Sequence, residues 1–238
     1  MTLEGVKCFL LDMDGTFYLG GRLIEGSLEF IDRVLATGRD FMFLTNNSSH
    51  NATFYVQKRA KMGLTIDRSR VMTSGEATCE VLRARYPGRR AFLLGNEYLA
   101  EEFREAGIPV DDADPEIVVI GFDTTLTYRK MQAVCDFVRA GLPYIATHPD
   151  FNCPTETGFM PDIGAIMAFI EASTGRRPEL IVGKPHTGIV EAVRQRTGLA
   201  LSELAMVGDR LYTDIETGLR SGMLSILEIG RASCRERV

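Results

Sequence analysis

Phe9-Leu10-Leu11-Asp12-Met13-Asp14-Gly15-Thr16 joins an apolar run to two carboxylates set two residues apart. The run from Val6 to Leu11 predicts a short buried strand, and Gly15 marks the turn after it. Side chains at i and i+2 of an extended segment share a face, so Asp12 and Asp14 leave the strand on the same side. Like charges so placed repel, and nothing local in the sequence neutralises them. A hard cation such as Mg²⁺ resolves the conflict, because it takes oxygen ligands and keeps waters and phosphate oxygens around it. Standing alone, an Asp-x-Asp pair is more often a solvated acidic turn. The weight therefore falls on what the rest of the chain places beside it.

Outward from that strand, strand-like and helix-like segments alternate, which predicts an α/β fold with a parallel sheet. Leu28 to Thr37 reads as a helix ended by Gly38, and Phe41-Met42-Phe43-Leu44 as a strand buried on both faces. Thr45-Asn46-Asn47-Ser48-Ser49 supplies capping residues ahead of a helix from Ala52 to Met62. Residues 75–177 have a βα rhythm of their own, with strands at Ala91–Leu94, Ile117–Ile120 and Tyr144–Ala146. Two helical stripes lie between and after them: Met131, Val134, Cys135, Val138 and Ile163, Ile166, Met167, Ile170. Both read as core. About a hundred residues with this content make a second domain. Beyond it come strands at Leu180–Val182 and Leu204–Val207, the turn Gly183-Lys184-Pro185, and helices near 189–196 and 214–220.

The 238 residues allow one or two domains with full cores. A net charge of -5 without a basic stripe gives no footprint for nucleic acid. No apolar stretch approaches the ~20 residues that span a bilayer, and the N-terminus does not read as a signal peptide. Cys8, Cys79, Cys135, Cys153 and Cys234 are scattered, which fits free thiols in a reducing cytosol and a cytoplasmic location. The last residues, 228–238, have neither periodicity nor turn logic and read like translated sequencing-adapter DNA. We expect them to be a non-native tail.

Polar residues follow four apolar strands directly: Asp12 and Asp14, Thr45 and Asn46, Lys184, and Asp209. In an open parallel sheet ligands bind outside the carboxyl ends of the strands, so these groups are expected to meet in one crevice. A carboxylate pair, a hydroxyl, an amide, a cation and a third carboxylate together suit phosphoryl transfer.

With those residues in view, the chain resembles phosphatases of the haloacid dehalogenase superfamily. The likeness is to the branch with a large α/β cap inserted between the second and third motifs, which includes p-nitrophenyl-phosphatase-like enzymes acting on nucleotide and sugar phosphates. Asp12-Met13-Asp14-Gly15-Thr16 matches the first motif, Leu44-Thr45-Asn46-Asn47-Ser48 the second and Gly183-Lys184-Pro185 the third. The fourth is matched by Gly208-Asp209-Arg210-Leu211-Tyr212-Thr213-Asp214. His148-Pro149-Asp150 and Thr174-Gly175-Arg176-Arg177-Pro178 resemble cap signatures, although many members have Asn where His148 stands. The likeness runs from about residue 5 to 227, where the family continues into a further strand and helix.

The resemblance implies a doubly wound, Rossmann-like core of residues 1–74 and 178–227, with residues 75–177 as the inserted cap. It implies a Mg²⁺-dependent phosphatase of small phosphorylated metabolites, with self-association through the cap and no nucleic-acid or membrane partner. Asp12 would attack phosphorus to give an aspartyl-phosphate, and Asp14 would act as acid and then base. Asp12, the Asp14 carbonyl and Asp209 would hold the metal, with Asp214 orienting a metal-bound water. Thr45, Asn46, Lys184, Arg210 and Thr213 would bind the phosphoryl group. The cap loop from His148 to Met160 is expected to select substrate. His148 and Cys153 read as turn and packing residues, and His50 and His186 as helix-start residues. A phosphotransferase or phosphomutase of the same superfamily differs only in its acceptor, and an inactive phosphate binder is a third reading. A response-regulator receiver is disfavoured by Asp14 and by the inserted cap.

Overall fold

A computed structural model describes residues 3–155 and 157–229. The order is β1 (Cys8–Leu11), β2 (Tyr18–Leu19), β3 (Arg22–Leu23), α1 (Ser27–Ala36), β4 (Asp40–Thr45), α2 (Ala52–Ala60) and β5 (Val71–Thr73). Next come α3 (Ser74–Arg85), β6 (Ala91–Leu94), α4 (Glu97–Glu105), β7 (Ile117–Ile120), α5 (Tyr128–Arg139) and β8 (Tyr144–Ala146). The chain continues through β9 (Asn152–Thr155), β10 (Gly158–Pro161), α6 (Ile163–Thr174), β11 (Leu180–Ile181) and α7 (Gly188–Thr197). It closes with β12 (Leu204–Gly208), α8 (Glu216–Ser221) and β13 (Leu224–Leu227). None of the described helices is long and apolar enough to cross a membrane.

The described residues form two compact units. One takes the chain up to Thr45, Ala52–Met72, and everything from Lys184 onward. Its five-stranded sheet runs β13-β12-β1-β4-β5, with β1 parallel to both β12 and β4. The strand order therefore reverses beside β1, and the carboxyl ends at such a reversal are where open α/β sheets bind ligands. Leu11 pairs with Val207 on one side and Phe43 on the other, so β1, β4 and β12 end nearly level. Phe9, Leu11, Phe41, Phe43, Ala205 and Val207 bury their side chains in one core, and Phe17 stands edge-on to Phe43 at 4.8 Å.

The second unit takes Asn46–Asn51 and Thr73–Gly183. Its four-stranded parallel sheet runs β11-β8-β7-β6. Val134, Cys135 and Val138 of α5 and Ile163, Ile166 and Ile170 of α6 pack together in its core, as their helical spacing predicts. Asp162 starts α6 by accepting from Ile163 N at 2.6 Å, and Gly175 ends it at φ +73°.

Several elements differ from the sequence reading. Leu180–Ile181 does not join the first sheet; it pairs with β8 in the second. Two half-buried residues carry too little pattern to choose an edge, and Val182 N and Gly183 N continue the pairing onto Ala146 O and Thr147 O. Helices α3 and α4 are additional to the two helices that the sequence predicts within residues 75–177. Thr73 caps the first by accepting from Glu76 N at 3.0 Å, a Thr-x-x-Glu signal present in the sequence. The expected loop from His148 to Met160 contains the antiparallel hairpin β9–β10. Asp214 sits in a π-helical turn, Leu211–Ile215, ahead of α8. Residues 230–238, most of the expected tail and Cys234 among them, lie outside the described residues.

Candidate active site

The level ends of β1 and β12 bring Asp12 and Asp209 out of adjacent strands. Asp12 N donates to Val207 O at 2.9 Å, which ties the first acid to the strand that carries the second. One oxygen each from Asp12, Asp209 and Asp214 lie within 4.8 Å of one another. Asp209 Oδ1 accepts from Thr16 Oγ1 at 3.2 Å. Gly15, at φ +97°, gives the acid its room: a Cβ there would stand 2.5 Å from Asp209 Oδ2. Gly208 does the same for Asp214, whose side chain occupies the place a Cβ would take.

Lys184 puts one buried cation among these acids. Its Nζ bonds Asp12 Oδ1, and also Asp214 Oδ1 at 2.6 Å. Burial works against the ammonium, but Asp12 and Asp214 outweigh it and raise its pKa. Asp214 is fully buried, and its second oxygen accepts from Arg210 N at 3.1 Å. Burial raises the Asp214 pKa, Asp12 adds to the rise and Lys184 opposes it. Burial likewise pushes the Asp209 carboxyl up to about 6, with the Asp12 charge reinforcing the shift. An anionic, oxygen-lined cluster whose acids resist ionisation is the donor set a hard divalent cation stabilises. The residues present fit Mg²⁺.

Asp14 sits apart from that cluster. Its residue keeps solvent exposure, yet protein crowded round the carboxyl pushes its pKa up, with Lys58 opposing and Asp12 adding. Asp14 Oδ2 accepts from Tyr18 Oη at 3.2 Å. Thr45 is buried at the end of β4, and Thr213 is buried in the turn that carries Asp214. The first unit thus brings together Asp12, Lys184, Asp209 and Asp214, and carries Asp14, Thr45, Arg210 and Thr213 on the same strand ends and turn.

Asn46 belongs to the second unit. Its Nδ2 donates to Asp150 Oδ2 at 3.0 Å, and Ser74 Oγ bonds its backbone oxygen. His148 is fully buried beside them, with Nδ1 3.0 Å from Thr147 Oγ1 and Nε2 3.1 Å from Asp162 Oδ1. Both ring nitrogens are engaged, so His148 ties its loop to the start of α6. Sequence reasoning gave no role to Thr16 or Asp150, although both stand in quoted motifs, and it missed Tyr18 altogether.

A haloacid dehalogenase-like hydrolase model matches residues 9–109, and a HAD-hydrolase-like model matches 181–228. An acid sugar phosphatase of Staphylococcus aureus strain MRSA252 is 37% identical over 225 residues, covering 94% of this chain and 86% of that protein. Among solved structures, 4-nitrophenylphosphatase from Thermotoga maritima superposes with a TM-score of 0.93 at 47% identity, covering 96% of this chain and 88% of the other. NagD from E. coli K-12 gives 0.87 at 32% identity, covering 94% and 88%. An α/β sheet with acids at its strand reversal thus falls in a known class of hydrolase folds. The chain belongs to the haloacid dehalogenase-like hydrolase family, and the solved relatives named here are of its p-nitrophenylphosphatase and NagD branch.

Proposed function

We propose that the chain is a Mg²⁺-dependent phosphatase that hydrolyses phosphate monoesters of small metabolites through an aspartyl-phosphate on Asp12. The observation that carries this reading is the meeting of Asp12, Asp209 and Asp214 where β1 and β12 end, with Lys184 bonded to Asp12 and Asp214. Asp12 attacks phosphorus, splitting one difficult displacement into two easier ones. Lys184 offsets the charge of Asp12 and of the transferring group, and holds the attacking carboxylate in place. Asp14, with its raised pKa, protonates the leaving oxygen and then takes a proton from the water that cleaves the intermediate.

Asp12, the Asp14 carbonyl and Asp209 would hold Mg²⁺, which would supply charge neutralisation for the phosphoryl group. Asp214 is already held by Lys184 and Arg210 N, which suits orientation better than direct ligation. Thr45 and Asn46 hydrogen-bond the phosphoryl oxygens, and Arg210 and Thr213 line the same group. Residues 75–177 act as the cap that selects substrate. The printed activities of the relatives make sugar phosphates and p-nitrophenyl phosphate the first compounds to assay.

Asp12→Asn tests the reading, because an amide is isosteric with the carboxylate but does not attack phosphorus. Phosphate release should fall at least about 10³-fold, with circular dichroism unchanged. Retained turnover would remove Asp12 as nucleophile. Measuring free phosphate beside transfer to added sugar separates hydrolysis from phosphotransfer.

A further inference from the structure

Two carboxylates leave β1, and the protein treats them differently. Lys184 secures Asp12, whereas Asp14 is met by a phenol that the chain itself folds back to it. Gly15 N donates to Tyr18 O at 2.8 Å, and Phe17 N and Tyr18 N both donate to Met13 O, at 3.0 and 3.2 Å. This tight loop returns the Tyr18 side chain to Asp14, with Oη 3.2 Å from Asp14 Oδ2. Tyr18 is fully buried.

Two cations of α2 flank its ring. Lys58 Nζ lies 4.1 Å from the ring centroid and Arg59 Cζ 5.8 Å. Arg59 is itself fully buried, against the rings of Phe43 at 4.0 Å and Tyr55 at 5.6 Å. Its Nη1 donates to Tyr55 O at 2.9 Å, but Nε and Nη2 have no hydrogen-bond partner among the described residues. A buried guanidinium with two unpaired donors is costly for packing alone, and an apolar side chain would fill the space more cheaply. The guanidinium stacks on Phe43 and reaches to within 5.8 Å of the Tyr18 ring centroid, so its charge acts on the phenol as well as on the packing.

We infer that Tyr18 is a positioning residue for Asp14, clamped by Arg59 and Lys58, which occupies Oδ2 and so leaves Oδ1 as the oxygen that passes the proton. The inference rests on the acid role proposed above for Asp14. As the P–O bond breaks, its electron pair stays with the leaving oxygen and the proton on Oδ1 moves to that oxygen. The Asp14 carboxylate so formed keeps accepting from Tyr18 O–H at Oδ2. That bond strengthens as the charge develops, so it favours the transition state over the bound substrate. A phenol clamped by packing delivers this without reorganising.

The experiment is single-turnover release of the leaving group by the full chain with Mg²⁺, comparing p-nitrophenyl phosphate with glycerol phosphate. The proteins are wild type, Tyr18→Phe, Asp14→Asn and the double variant. Tyr18→Phe should slow glycerol release about tenfold, the scale of one hydrogen bond to a charged group, and nitrophenol release by much less. The KM and the inhibition constant of inorganic phosphate should not move. In the Asp14→Asn background, Tyr18→Phe should add less than about twofold, because its partner is already gone. Lys58→Met, at a half-exposed position, should repeat the same substrate preference more weakly, which guards against a misfolded Tyr18 variant. Equal slowing of both substrates, or full additivity with Asp14→Asn, overturns the inference while the phosphatase reading stands. A wild type without turnover defeats that reading, and the role given to Tyr18 falls with it.

Discussion

Asn46 Nδ2 donates to Asp150 Oδ2 at 3.0 Å, joining residues 104 apart in the chain. The bond fixes which end of the amide faces which way. Asn46 Oδ1 lies toward Gly183, where a Cβ would stand only 2.6 Å from it. In the proposed reaction Asn46 hydrogen-bonds a phosphoryl oxygen, so the bond to Asp150 sets how its amide is presented. Asp150→Ala releases the amide to rotate. Its expected effect is a rise of about fivefold in KM and in the inhibition constant of inorganic phosphate, with kcat changed less. Steady-state kinetics with phosphate as inhibitor checks this. Unchanged phosphate affinity would show that Asp150 does not set how Asn46 is presented.

Lys184 bonds both Asp12 and Asp214, and it is almost wholly buried. Replacing it with methionine keeps the volume and removes the charge, leaving buried carboxylates facing one another. Breaking a buried ion pair from one side costs about 3–5 kcal/mol, so Lys184→Met should unfold at distinctly lower urea. Asp214→Asn added to that variant should recover part of the loss, since the uncompensated charge is then gone. Absence of any recovery would show that Asp214 does not depend on Lys184.

The sheet was legible because each core strand is a run of consecutive apolar residues, and each ends on a polar group that has no structural need to be there. That logic found Asp12, Thr45 and Asp209 with their strands. It placed Lys184 correctly in the cluster but for the wrong reason, because β11 belongs to the second sheet and the lysine arrives from there through Gly183. Tyr18 was invisible. A buried tyrosine six residues past Asp12 looks like core, and only the backbone bonds to Met13 O reveal the returning loop. Arg59 was invisible for the opposite reason, since an arginine late in a helix ordinarily reads as solvated. Long-range pairs such as Asn46 with Asp150 leave no local pattern at all.

The cysteines differ sharply in their surroundings. Burial pushes the Cys8 thiol up to about 12, with Asp40 adding to the shift, and burial also raises Cys79. Cys135 is buried in the second core, whereas Cys153 is half-exposed on β9. The thiolate is the reactive form, and at pH 8 Cys8 stays almost wholly a thiol. Cys234 aside, an alkylating reagent should therefore modify Cys153 in the native protein and reach Cys8, Cys79 and Cys135 only after unfolding. Peptide mass mapping before and after denaturant reads this directly. Early labelling of Cys8 would show that β1 opens far more readily than its pairing on both sides implies.

Gly15 and Asp209 supply the sharpest test of the metal. A ligand that binds only the folded chain at a hundred times its dissociation constant adds about 2.7 kcal/mol, or roughly 5–10 °C for a chain of this length. Mg²⁺ should raise the melting temperature of the wild type by about that much. Asp209→Asn should abolish the shift, because an amide brings no charge to the cation. Gly15→Ala should lose it without replacing any proposed ligand, since the new Cβ would stand 2.5 Å from Asp209 Oδ2 and force that carboxylate aside. The φ of +97° adds strain of about 1–2 kcal/mol, so this variant should also melt lower without metal. If Gly15→Ala melts lower yet keeps the full Mg²⁺ shift, Asp209 has room to move and is not the fixed ligand proposed here.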